Sequence, residues 1–552
     1  GVADTRGESR VNYIRGDRSL ETSTFRTREH LLGDIIHSSP IAVGAPDRVP
    51  NLMDQAAGSS GAQSYNNFAL SKANRAKRIY VGANDGMLHA FDASGSEVFA
   101  YVPTAVIEKL NLLTDKSYTH QFYVDGTPVV SDIFDGTNWR TILVGTLRGG
   151  GRSVFALDIT DPNNISLLWE FSSTADADLG FTFPEPIISK LHNGKWGVIL
   201  ANGYNSTNDR AALFILDAVD GTVTRKFTVG TAGTINGLSS PRAVDINGDL
   251  VTDYVYAGDL TGNLWRFDLF DASKSSPLQN TANVNASTFK VAFGGNPLYT
   301  ALASDGSTRQ PITAAPALVR HPSGTGYIVG FGTGKYFETT DSQANTSVAM
   351  SLYGIWDRQT AGETASSTPS VARSNLVAQT ISTSVTSTFT DSDNSSSRSR
   401  EIRTISKNPI QWMNGTNVNK YGWFLDLKEG NTLKGELVTT PLTSRGNVLL
   451  AATTVPNSDP CSSGIDRWFL AIDGRTGGAT DFNVLDLTGN NYVTADDSYN
   501  GQVVSSVRIP GFGSPAVVGT QAFFNTDGGV QKEVLDFGPA SRGRQTWRVL
   551  GE

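Results

Sequence analysis

Apolar and polar residues alternate in short runs along this chain, and the runs break at glycine. Arg78-Ile-Tyr-Val-Gly-Ala-Asn-Asp-Gly86, then Met87-Leu-His-Ala-Phe-Asp92, then Glu97-Val-Phe-Ala-Tyr-Val102 predict three strands of period two across two glycine turns. Asp253-Tyr-Val-Tyr-Ala-Gly258 and Asn263-Leu-Trp-Arg-Phe-Asp268 repeat the pattern. A small or polar residue, proline and an apolar run recur seven times, at Pro40, Pro128, Pro186, Pro241, Pro316, Pro441 and Pro515. Proline fits the first residue of a strand, where a missing N–H is tolerated. A second series interleaves with the first: an apolar residue followed by aspartate at Asp92, Asp158, Asp217, Asp268, Asp357, Asp473 and Asp536. Aspartate there suits a turn in which its side chain accepts a backbone N–H two residues on. Seven copies of a four-stranded unit predict an all-β, irregular, seven-bladed β-propeller of the quinoprotein-like kind. A β-sandwich pair and an open solenoid are the competing folds.

Uneven spacing places the insertions. Residues 1–34 read as a helix-containing lead segment before a propeller spanning 35–552. Gly58 to Asn74 interrupts the first blade, and Ala105 to Leu113 reads as a short helix before the second. Thr364 to Glu401, crowded with serine, threonine and asparagine, predicts a long mobile excursion.

Composition narrows the function classes. Glycine at 56 of 552 residues and only 18% charged residues agree with short strands and many turns. One cysteine, Cys461, excludes an intramolecular disulfide and cysteine-rich metal centres. A net charge of −8 without a long basic run argues against nucleic acid or an anionic membrane as partner. No stretch has the apolar length of a membrane span, and no signal peptide is evident. A chain starting at Gly1 rather than methionine reads as a piece of something longer.

The chemistry concentrates in one loop. Asp245-Ile-Asn247-Gly-Asp249-Leu-Val251-Thr-Asp253 puts oxygen-bearing side chains at positions 1, 3, 5 and 9, with the Val251 carbonyl at 7. Calcium takes six to eight hard oxygen ligands, and the EF-hand loop uses those positions. Leu250 stands where that loop has its turn glycine, and Tyr256 where it has a bidentate glutamate. Flanking strands predict a rigid turn holding one calcium ion. Without a cation, each pair of these carboxylates at 4 Å would repel by about 4 kcal/mol at an effective dielectric near 20. A metal-free Asp/Asn turn is the competing reading.

A second loop, with Asp486, Thr488, Asn490, Tyr492 and Asp497, has the same rhythm and less charge. It is the weaker candidate, real or vestigial. Arg15-Gly16-Asp17 is the tripeptide that integrins read on an exposed loop, but its neighbours look helical. The six histidines show no metal-ligand spacing, and His89 in an alternating strand reads as packed rather than reactive. No catalytic constellation emerges, so the chain reads as a non-enzyme.

Asn12-Tyr-Ile-Arg-Gly-Asp17, Phe25-Arg-Thr-Arg28, Leu32-Gly-Asp-Ile-Ile-His-Ser-Ser-Pro40, and the Asp245 loop running into Ala257-Gly-Asp-Leu-Thr-Gly-Asn-Leu-Trp-Arg-Phe-Asp268 carry a family likeness. They resemble the PilY/PilC type IV pilus biogenesis factors and tip-associated adhesins, the pseudomonad PilY proteins most of all. The resemblance implies a C-terminal propeller of a larger protein, exported to the periplasm, the outer membrane surface and the pilus tip. It implies partnership with pilins and minor pilins, control of pilus extension against retraction, and attachment to host surfaces, while integrins as receptors rest on the Arg15-Gly16-Asp17 tripeptide alone. It also implies that the calcium loop is regulatory, through Asp245, Asn247, Asp249, Val251 and Asp253. In such proteins Arg15-Gly-Asp17 sits inside a broader local signature, which favours a structural role. Two rivals stay open. Ala471-Ile-Asp-Gly-Arg-Thr-Gly477 and Leu216-Asp-Ala-Val-Asp-Gly221 resemble the docking turns of quinoprotein dehydrogenases, and a purely structural scaffold would need no regulated ion.

Overall fold

Proline fixes where the sheets begin. In a computed structural model that describes residues 5–538 except 272, 275, 280–282, 362–370, 394, 457–464, 510 and 527–528, strands start directly after Pro40, Pro128, Pro186, Pro241 and Pro316. Pro441 precedes its strand by two residues and Pro515 lies within one. The aspartate series closes the third strands: Asp158, Asp217, Asp268, Asp357 and Asp473 are their last residues, and Asp92 follows its strand directly. Their carboxylates accept backbone N–H groups two residues on, as from Val219 to Asp217 and Arg475 to Asp473. Cys461 and part of the Thr364 tract lie outside the described residues.

Among the described residues the strands form seven sheets, one per propeller blade, besides two short two-stranded ribbons. The chain divides into two compact units, Gly1–Ala257 with Arg266–Gly295, and Gly258–Trp265 with Asn296–Glu552. The first unit holds three complete sheets. Ile41–Val43, Arg78–Gly82, Leu88–Phe91 and Glu97–Tyr101 form the first; Val129–Phe134, Trp139–Thr146, Ser153–Asp158 and Ser166–Ser172 the second. Ile187–Leu191, Trp196–Ala201, Ala211–Asp217 and Val223–Val229 form the third, and Val251–Thr252 joins its first strand in parallel. The fourth sheet has strands assigned to each unit. Arg242–Val244 pairs with Tyr254–Tyr256 in the first unit, and Asn263 and Leu264 pair with Thr300 and Tyr299 in the second.

In the second unit, sheet five runs Ala317–Arg320, Tyr327–Gly332, Ser351–Asp357, Gly422–Glu429, with Leu376–Ile381 added in parallel. Sheet six is built on Val448–Pro456 and Ile465–Asp473, and sheet seven is Phe512–Val518, Gln521–Thr526 and Gly529–Val534. The Thr364 to Glu401 excursion is corrected here. Leu376–Ile381 belongs to sheet five, while Val385–Thr390 and Ser397–Arg403 pair as a hairpin that extends sheet six through Ser506–Ile509. Threonine and valine satisfy a strand when a neighbouring edge offers hydrogen bonds, whatever their mean hydropathy.

Burial is deepest in the middle strands, where Ala211–Asp217 is buried at every position. Each Leu, Ile or Phe removed from water there stabilises by about 1.5–3 kcal/mol. The two turns that resemble quinoprotein docking turns are seats for indoles. Trp169 donates to the Ala218 carbonyl at 3.1 Å over Gly221, where a Cβ would fall 2.7 Å from the ring. Trp423 donates to the Gly474 carbonyl at 3.0 Å over Gly477, where a Cβ would fall 2.3 Å from the ring. Packing accounts for both turns.

The insertion in the first blade is helical, with Pro50–Ala57 and Tyr65–Ser71 between the first two strands. Tyr65 is fully buried, packs edge-on against Trp139 and donates to Asp132 at 2.6 Å. The helix predicted over Ala105 to Leu113 is two short turns, Thr104–Ile107 and Leu110–Thr114. Among its described residues the lead segment carries one helix, Gly7–Ile14. No helix among the described residues is long and apolar enough to cross a membrane.

Candidate metal loops

The Asp245 loop leaves the fourth sheet after Val244, touches the third sheet through Val251–Thr252, and returns to the fourth at Tyr254. It therefore stitches two neighbouring blades. Asp245 organises the turn: its Oδ1 accepts Gly248 N at 2.7 Å and its Oδ2 accepts Leu250 N at 2.7 Å. Asp249 accepts Val251 N at 2.9 Å, and the Asn247 amide donates to Asp249 at 2.8 Å. Leu250 adopts φ 66°, the left-handed conformation that glycine supplies at this position of an EF-hand. A β-carbon there costs about 1–2 kcal/mol.

Asp253 anchors the loop from below. It is 1% exposed, accepts Ile246 N at 2.8 Å, and meets His192 Nε2 at 2.8 Å. Burial pushes its carboxyl above the usual carboxylate range, the His192 and Ile246 hydrogen bonds oppose that, and the nearby Asp245 adds to it. His192 is the site residue that sequence reasoning missed. It lies 61 positions away, and only the parallel pairing of Val251–Thr252 with Ile187–Leu191 brings it near.

The Asp486 loop repeats the turn of the Asp245 loop at positions 1, 4, 5, 6 and 7. Asp486 Oδ1 accepts Gly489 N at 2.7 Å and Oδ2 accepts Asn491 N at 2.8 Å, while Asn490 accepts Tyr492 N at 2.8 Å. Gly248 and Gly489 both have φ 80°, and Asn491 at φ 70° matches Leu250. The buried anchor is Asp497, 1% exposed, accepting Leu487, Thr488 and Thr494 N–H groups at 2.7, 3.0 and 2.7 Å. Burial raises its carboxyl pKa as well. The serine-rich hairpin braces this loop: Ser396 donates to the Thr488 carbonyl at 2.7 Å, and Asp391 lies 3.4 Å from the Asn490 amide. Asp391 is the second residue that sequence reasoning passed over.

Both loops supply the hard oxygens that calcium prefers, and the Asp245 loop carries three carboxylates in nine residues. Among the described residues, however, no three His, Cys, Asp or Glu side chains converge as a metal-holding group. Asp245 and Asp253 are turned onto loop N–H groups, which occupy part of the roughly four acceptor positions of each carboxylate.

Arg15-Gly16-Asp17 follows the lead helix directly. Asp17 N donates to the Asn12 carbonyl and Gly16 takes φ 108°, so the tripeptide forms the turn that ends the helix. Arg15 and Asp17 are exposed, and the Asp17 carbonyl accepts the Arg28 guanidinium at 2.9 Å. Of the histidines, His89 is 3% exposed and held between Asp85 and Glu97, packed as its strand position predicts.

Comparison with known proteins places this architecture. The PilY1 beta-propeller domain family matches residues 32–394. The chain belongs to that family. The type IV pilus biogenesis factor PilY1 of Pseudomonas aeruginosa strain PAK is 50% identical over 565 aligned residues, covering 100% of this chain and 48% of that protein. A PilY1 homolog of Xylella fastidiosa is 38% identical over 87% of this chain and 32% of its own length. The crystal structure of the P. aeruginosa PilY1 C-terminal domain superposes with a TM-score of 0.79 at 44% identity, covering 90% of this chain and 99% of that one. The seven-bladed propeller is thus the PilY1 domain fold, and this chain spans about half the length of the curated P. aeruginosa relatives, 48% in each. These relatives are named as pilus biogenesis factors and not as enzymes.

Proposed function

We propose that this PilY1-family propeller is a calcium-binding, pilus-associated regulatory and adhesive domain, exported to the periplasm, the outer membrane surface and the pilus tip. It works by binding: calcium at the Asp245 loop biases type IV pili towards extension or retraction, and the surface-exposed domain supports attachment. The observation that carries this reading is the path of the loop from sheet four to sheet three and back. Asp245, Asn247, Asp249, Asp253 and the Val251 carbonyl would hold the ion, which supplies the positive charge that offsets the clustered carboxylates. Gathering those side chains tightens the seam between two blades, because Val251–Thr252 cannot shift without moving both.

One ion at the Asp245 loop is the proposed stoichiometry, with the Asp486 loop as a weaker site. Pilins or minor pilins are the proposed partners at the pilus. Arg15-Gly16-Asp17, with both charged side chains exposed, is the proposed contact for an integrin-type receptor. Calorimetric titration of calcium into this chain, with piliation of cells carrying Asp245→Ala in the full-length protein, tests the reading. One ion bound by the parent, none by the variant, and altered surface piliation support it. Lost binding with unchanged piliation would leave a scaffold with an incidental ion.

A further inference from the structure

The stretch joining the lead helix to the first sheet is pinned to the propeller by polar contacts and leaves large apolar groups exposed. Arg28, 8% exposed, stacks on Tyr13 at 3.6 Å and donates to the Tyr13 carbonyl, the Asp17 carbonyl and Glu21. Gly33 N donates to Asp85 at 2.8 Å, and a Cβ on Gly33 would fall 2.4 Å from Asp85 N, so the chain is pressed flat there. Asp34 accepts both Asn84 and His120 at 2.9 Å. His37 Nδ1 lies 2.6 Å from Asp125. Between these anchors Leu31, Leu32, Ile35 and Ile36 are 49, 40, 40 and 50% exposed, and Val11 on the lead helix is 55% exposed. Beside them opens a groove of about 380 Å³ lined by Tyr13, Arg26, Leu32, Leu113 and Tyr118.

A segment held to the propeller by Arg28, Gly33, Asp34 and His37 while presenting four large aliphatic side chains to water is arranged for a partner, since exposed apolar surface of this density marks an interaction site. What covers it follows from the relatives. They are about twice as long as this chain, and the solved domain that it matches almost end to end is the C-terminal one. In those proteins the other half of the polypeptide precedes the residues that match this chain, and it enters at the lead segment.

We infer that the Leu31–Ile36 face and its groove seat the N-terminal half of full-length family members, so that the lead segment is an interdomain joint rather than a tether. Anchored polar contacts hold the joint to the propeller, and the apolar ridge closes against the preceding half. The test is hydrogen–deuterium exchange on this 552-residue chain and on a full-length family polypeptide that contains it. The amides of residues 31–36 should exchange at least about tenfold more slowly in the full-length protein, with the core strand Trp196–Ala201 equal in both. The double variant Leu32→Ser/Ile36→Ser, made at exposed positions, should restore fast exchange without lowering the melting temperature of the 552-residue chain. Equal exchange in the two proteins overturns the inference. So does slow exchange in the isolated chain that disappears on dilution together with a dimer, which would give the face to a second copy.

Discussion

The Asp245 and Asp486 loops share one backbone and differ in what they offer a cation. Both close an acidic first residue onto the N–H groups at positions 4 and 6, and both fasten position 2 to a buried carboxylate. The first spends its side chains on charge, with Asp245, Asp249 and Asp253. The second substitutes Thr488 and Asn490, moves its buried anchor to Asp497, and takes bracing from a hairpin and a lysine, Lys532, which donates to Asn491 at 2.9 Å. A turn of this shape is braced by neighbours in the second loop, and the first has the carboxylates for the ion proposed above.

The contrast breaks most sharply at Asp245→Ala. Loss of the residue that organises the turn should weaken calcium binding by at least about a thousandfold, roughly 4 kcal/mol, while Asp486→Ala should leave the titrated affinity within about twofold. The reverse result would exchange the roles of the loops. Next in size is Asp497→Ala, which strands three backbone N–H groups and should cost about 3 kcal/mol in urea denaturation with chelator present. Asp253→Ala, with one N–H and one histidine contact to lose, should cost about 2 kcal/mol under the same conditions.

Titration sharpens the comparison further. Because Asp253 holds its proton more tightly folded than unfolded, the native state binds more protons, and stability in chelator falls as pH rises from the ordinary carboxylate value through the raised one. The parent should therefore lose stability relative to Asp253→Asn across that window and stay level above it, read as denaturation midpoints at stepped pH. Calcium should remove the loss. The smallest effects belong to position 6. Leu250→Gly relieves left-handed strain of about 1–2 kcal/mol but gives up partial burial against the core of the first unit, for a net change under about 1 kcal/mol. Asn491→Gly, at a residue that already tolerates positive φ, should change the melting temperature by under about 1 °C.

Much of this was legible in the chain. The proline and aspartate series located the first and third strands because each residue acts locally, one by lacking an N–H and the other by capping a turn two residues away. The acidic turn was legible for the same reason, since Asp245 and the N–H groups that it accepts lie within six residues of one another. The Thr364 tract misled because its strands owe their existence to edges contributed by Gly422–Glu429 and Ser506–Ile509, which no local composition records. The bracing of the Asp486 loop by Ser396 and Lys532 was not legible, because both partners come from distant segments.

Sequence alone determined the repeat, the propeller and the acidic turn, because each rests on rules that act over a few residues: period-two alternation, restricted φ, and carboxylates in hydrogen-bonding reach of their own backbone. Tertiary structure alone decided that the Asp245 loop bridges two sheets, that His192 stands against Asp253, and that Leu31, Leu32, Ile35 and Ile36 stay exposed on a stretch pinned by polar contacts. Those facts depend on which distant strands pair, and pairing is settled by the free energy of the whole packed assembly rather than by any segment in it.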